Sequence, residues 1–125
     1  MRIYVNNLSK YNKEIKETAE KVINGENLSG DLSITFVADD IMSKLNKKYT
    51  GRNGTTDVLS FPFNIPELLG DIYISIEQAD RQKENDILYE LRLLTIHGIL
   101  HLAGYNDKED KERNKMREKE KEYLS

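Results

Sequence analysis

The segment from Ile87 to Ala103 constrains the fold more than any other stretch. Leu91, Leu94, Ile96, Ile99, Leu100 and Leu102 make it apolar almost all round, and a helix of that kind is stable only where other elements cover most of its circumference. In a chain of 125 residues, 38% of them hydrophobic and 33% charged, there is material for one modest core. The other elements must therefore be arranged about this central helix, and residues 1–125 are expected to form a single domain.

Shorter periodic segments supply what surrounds it. Arg2 to Leu8 sets Ile3 and Val5 against Tyr4 and Asn6, the period-2 pattern of a half-buried strand. From Ser9 to about Gly25, Tyr11, Ile15, Thr18, Ala19 and Val22 recur at helical spacing, with Gly25 as the expected stop. Asp31 to Ala38 reads as a second strand, after which Asp39 or Asp40 would cap a short helix carrying Ile41, Met42 and Leu45. Beyond a glycine-bearing loop, Val58 to Phe63 reads as a strand that Pro62 confines to a sheet edge or a bulge. Ile72, Ile74 and Ile76 form a further strand, running directly into a helix to about Glu84 that Ser75 and Gln78 would cap. Asp107 to Tyr123 is nearly all charge, with Met116 and Tyr123 as its few apolar anchors, and is expected to be a solvated terminal helix. The order predicts an α+β fold, a mixed four-stranded sheet packed with about five helices.

Composition excludes several classes. Without cysteine, disulfides and thiolate metal sites are impossible, and a transition-metal site must use histidine and carboxylate. No run approaches the roughly 20 apolar residues of a membrane span, and MRIYVNNLSK has no signal-peptide core, so a cytoplasmic location without membrane partners is expected. A net charge of −3 argues against a broadly basic surface that coats nucleic acid, although a local basic patch is compatible with it.

The two histidines of the chain, His97 and His101, interrupt the central apolar helix one turn apart, about 6 Å along its axis, so both imidazoles can reach one cation. A bare HxxxH pair usually just packs. Here Gly104 stands where a left-handed residue can end the helix and swing Tyr105, Asn106 and Asp107 back toward the histidines. His97, His101 and Asp107 would then leave a fourth position open, as in a catalytic rather than a structural zinc site.

The segment HGILHLAGYND resembles the YbeY family of ribosomal-RNA-processing endoribonucleases, whose signature is HGxLHLxGYDH, and departs from it only at its last two residues. LNKKYTGRNGTTDVLSFPF is similar to the family stretch LNxxYRgkDxPTDVLSFPF, and LGDIYIS to the family's following strand. The resemblance implies an α+β fold, a zinc ion (one per chain, other divalent metals being open), and cleavage of single-stranded RNA in small-subunit ribosomal RNA maturation and ribosome quality control. It also implies ribosomal RNA, the small subunit or its associated proteins as partners, with no DNA. Asp107 falls where the family has its third histidine, and a carboxylate there makes a metal-bound water less acidic and broadens metal preference. Thr50 falls where the family has an arginine, leaving Arg52 as the candidate phosphate contact.

Arg52, His97 and His101 are thus the catalytic candidates, and Gly51 and Gly54 would allow close backbone approach beside Arg52. Asp57 would orient a histidine or simply bond at the strand start. Phe61 would stack a base or simply pack; neither it nor Ser60 is given a catalytic role. Two alternatives stand beside the nuclease. One is a zinc metallopeptidase, against which Gly98 occupies the position of the general-base glutamate in HExxH. The other is a catalytically weakened, ribosome-associated metal-binding module.

Overall fold

Local patterning builds nine elements across residues 1–125 of the computed structural model. In chain order they are β1 (Ile3–Asn6), α1 (Asn12–Gly25), β2 (Asp31–Val37), α2 (Asp39–Thr50), β3 (Val58–Ile65), β4 (Leu68–Ser75), α3 (Ile76–Gln82), α4 (Ile87–Leu102) and α5 (Asp110–Leu124). The sheet order is β1-β2-β4-β3. β1, β2 and β4 run parallel, and β3 is an antiparallel edge strand. The α+β architecture with a mixed four-stranded sheet and five helices is the one expected. Pro62 lies on that edge strand, opposite Gly70, and the pairing register shifts directly after it, because a residue without an N–H cannot extend the ladder.

One sheet face presents Leu32, Ile34, Phe36, Ile72 and Ile74, all buried. They form a single cluster with Ile15, Ala19, Val22 and Ile23 of α1 and with Leu91, Leu94, Ile96, Ile99 and Leu100 of α4. α4 is covered by α1, α3, α5 and the sheet, as its all-round apolar sequence requires. α2 lies against the opposite face, where Tyr49 meets Phe61.

Two local expectations are corrected. α1 begins at Asn12 rather than Ser9, after Tyr11 at φ 71°. It ends at Gly25 as expected, and a side chain there would meet the ring and hydroxyl of Tyr123. α2 is capped by Ala38 without a side-chain bond. Asp39 instead accepts from the Ser75 and Thr55 hydroxyls and pairs with Arg81, tying α2 to the start of α3. Ser75 does cap α3 as expected, accepting from the Gln78 N–H at 3.1 Å.

α5 is less solvated than its composition implies. Met116 and Tyr123 are buried, and the Tyr123 hydroxyl donates to Glu26 at the end of α1. The Tyr105 hydroxyl donates to the same carboxylate at 2.9 Å, and the Lys119 ammonium lies 3.4 Å from it. Burial alone would push the Glu26 carboxyl up, but the two hydroxyls and the ammonium outweigh it and hold its pKa below the ordinary value. A carboxylate depressed in this way contributes stability that is present above the unfolded-state value and lost as pH falls through the folded-state value. Glu26→Gln should therefore lower stability near neutral pH by about 1–3 kcal/mol and remove part of the acid-induced loss below the ordinary glutamate pKa. Denaturant unfolding of both proteins across pH checks this.

Candidate metal centre

His97 and His101 stand one turn apart on α4 with their Nε2 atoms 3.0 Å from each other. The helix then ends in a Schellman motif: the Tyr105 N–H bonds to the Leu100 carbonyl at 3.0 Å and the Gly104 N–H to that of His101 at 3.1 Å. Gly104 takes φ +101°, which side-chain-bearing residues adopt only under strain. The reversal returns Asp107 to the histidine face, and one ligand atom from each of His97, His101 and Asp107 lies within 4.8 Å of the others. Ligand atoms of a tetrahedral zinc ion, bound at 2.0–2.2 Å, sit about 3.3 Å apart. The three groups fit a divalent ion with small side-chain adjustment, and they are of the types that bind one. Asp107 is exposed and the histidines half-buried, so the site is open on one side.

A fourth residue completes the centre. Glu120 of α5 accepts from the Nδ1–H of His97 at 3.0 Å, and both side chains are largely shielded, 13% and 25% exposed. This fixes the tautomer that leaves Nε2 of His97 free as a ligand atom. Burial disfavours a charged His97, but the bond and charge of Glu120, helped by Asp57 and Asp107, outweigh it and raise its pKa. Burial lowers that of His101, as does the positive field of His97. Glu120 was not singled out from the sequence because it stands in a run of alternating lysine and glutamate. The available signal was its spacing from Met116 and Tyr123, which places it on the one buried face of α5.

Around the centre lies an open cleft of about 410 Å³, walled by Thr56, Asp57, Val58, Ser60 and Pro62 opposite the histidines. Ser60 Oγ donates to the Gly98 carbonyl at 3.0 Å, pinning β3 to α4. Asp57 borders the cleft but bonds to the Val58 N–H at 2.8 Å and to Gln82 at 3.0 Å rather than to an imidazole. Its hydrogen bonds are those of a strand start, and only its charge reaches His97. Arg52 is not brought to the histidines. It sits exposed on the loop after α2, its N–H bonded to the Thr50 hydroxyl at 3.2 Å. Gly51 closes α2 at φ 78°, so that glycine serves the turn. Gly98 is tightly packed: an added Cβ would lie 3.0 Å from Ile72 and 3.1 Å from Ser60 Oγ, so a side chain there would require those neighbours to give by a few tenths of an ångström.

Fold and site together define a class: a small α+β protein with an open His–His–carboxylate group, able to hold a metal ion, beside a polar cleft. Comparison with known proteins narrows this. The family model described as Endoribonuclease YbeY matches residues 3–125. Among curated relatives, Endoribonuclease YbeY of Carboxydothermus hydrogenoformans is 38% identical over 89% of this chain and 82% of its own length. That of Thermotoga maritima is 36% identical over 93% and 80%. The chloroplastic Arabidopsis thaliana protein is 40% identical over 75% of this chain, which spans 18% of that longer protein. A solution structure of a Thermotoga maritima protein superimposes with a TM-score of 0.68 at 34% identity, covering 98% of this chain and 86% of that one. The chain belongs to the YbeY family.

The position of Glu120 makes a specific prediction. Glu120→Ala should weaken zinc binding about 10- to 100-fold, with Glu120→Gln, which keeps an acceptor for the His97 Nδ1–H, losing less. Competition titration against a chromophoric chelator measures both, and equal affinity in all three proteins would refute the orienting role.

Proposed function

We propose that this protein is a metal-dependent endoribonuclease that cleaves single-stranded RNA during ribosomal RNA maturation in the cytoplasm, residues 1–125 acting as one catalytic domain. The supporting observation is the convergence of His97, His101 and Asp107 on an open cleft in a chain whose family relatives are named endoribonucleases. Zinc is the proposed ion, because imidazole and carboxylate together suit it. When bound it would supply Lewis-acid polarisation of a phosphate oxygen or activation of water. His97 and His101 act in this proposal as ligands, His97 held in its tautomer by Glu120. Asp107 supplies the third ligand and adds negative charge.

Arg52 is assigned a contact with a phosphate of the incoming strand, outside the ring of groups around the ion, since it lies on an exposed loop. The small ribosomal subunit is the proposed partner. No helix is long and apolar enough to cross a membrane. A peptidase reading lacks its general-base glutamate, whose position Gly98 occupies.

Elemental analysis and RNA cleavage, performed on the wild type and His101→Ala, test the proposal. We expect one metal per chain and cleavage of single-stranded RNA in the wild type, with both lost in the variant. A metal-loaded wild type that cleaves peptides and leaves RNA intact would refute the nuclease assignment.

A further inference from the structure

β3 has two functional faces. Val58, Ser60 and Pro62 pair with Ile74, Ile72 and Gly70 and point to the side of the metal cleft. Phe61 pairs with Asp71 and therefore points to the opposite side of the sheet, since directly paired residues share a face. On that side Phe61 lies 4.8 Å from the ring of Tyr49 and 5.9 Å from that of Tyr73. These rings, with Phe63 and Asp71, line an open hollow of about 170 Å³. Tyr49 and Phe63 are 55% and 42% exposed. That is a large aromatic area to leave in water without an occupant.

We propose that this hollow is a base-stacking platform for the single-stranded RNA substrate, one strand's width away from the metal cleft. The proposal rests on the nuclease reading for its substrate class. Two observations select RNA. The platform is continuous with the cleft through β3, so a strand crossing that edge meets both. The end of α2 and the loop after it carry Lys44, Lys47, Lys48 and Arg52 with no carboxylate among them, a local cationic flank in a chain of net charge −3, and Lys48 lies 5.2 Å from the Tyr49 ring centre. Within the hollow, Asp71 is the one charged group. It repels a phosphate but can accept from the exocyclic amino group of a base, so the base enters and the backbone stays on the basic flank. Aromatic stacking of unpaired bases is the usual way a sheet face holds single strands.

The test is fluorescence anisotropy of the metal-loaded protein with a labelled 2′-O-methyl oligocytidylate of about ten nucleotides, alongside cleavage of the unmodified strand. Tyr49→Ala and Phe63→Leu should each weaken binding about tenfold or more. Phe63→Tyr, which keeps a π-face, should bind as the wild type does. So should Ile41→Ala, which removes an equally exposed apolar side chain elsewhere on α2. The salt dependence of binding should not change in Phe63→Leu, because stacking releases no counterions.

Wild-type affinity in Phe63→Leu and Tyr49→Ala, with RNA cleavage intact, would overturn the platform alone and leave the patch to a protein partner. Equal weakening by Ile41→Ala would overturn it as well. Aromatic-dependent binding by a wild type that cleaves no RNA would support the platform while refuting the nuclease reading.

Discussion

The contact at Gly98 sets how closely α4 can lie on the sheet, and the site is built outward from it. With no side chain there, the helix backbone approaches Ile72 and the Ser60 hydroxyl within about 3 Å of where a Cβ would stand, and the Gly98 carbonyl accepts from Ser60. His97 is the preceding residue and His101 stands one turn on, so this close approach brings both imidazoles against β3. A larger residue would push the helix off the sheet and widen the cleft at the point where the chemistry needs convergence. The residue that stands where a peptidase would carry its glutamate is thus the same one that gives the histidines their wall.

A second dependence runs through the C-terminal helix. Glu120 reaches His97 only if α5 is docked, and α5 is held by Met116, Tyr123 and the bonds that converge on Glu26. Tyr105, on the loop that returns Asp107 to the centre, donates to the same carboxylate. Glu26 therefore joins the end of α1, the ligand-bearing loop and the helix that orients His97. It lies outside the cleft, yet it couples the stability of this corner to the geometry of the centre.

What could be read from the sequence follows the strength of local signals. The apolar circumference of α4, the period-2 strands and Pro62 on an edge strand each had one physical solution and were legible. So were the histidine pair and the reversal at Gly104, because helical spacing and a left-handed residue act over a few positions. Glu120 was hidden among chemically equivalent neighbours in a charge run, and only tertiary docking distinguishes it. Gly25 ends α1 as its position implied, but its lack of a side chain also admits a tyrosine almost a hundred positions away, which no local pattern encodes. Asp39 resembled a cap and serves instead as a junction between α2 and α3. Thr50 is absorbed into the loop: its hydroxyl bonds to the carbonyl and side chain of Asn46, while Asn46 holds the Gly54 carbonyl.

The surroundings of the centre act on its two histidines in opposite directions. Glu120, Asp57 and Asp107 all act on His97 to favour its charged form against the cost of burial, whereas His101, also buried, is disfavoured from charging by that same neighbour. Two imidazole nitrogens 3.0 Å apart can share one proton between them but not carry two. A divalent ion at the same point would satisfy both imidazoles and Asp107 at once, and it must displace the proton to do so. A carboxylate at Asp107 in place of an imidazole deepens the negative field. In the proposed metal site it would favour retention of an ion over acidification of a water bound to it, so Asp107 would change the balance of the centre without removing its capacity to hold a metal.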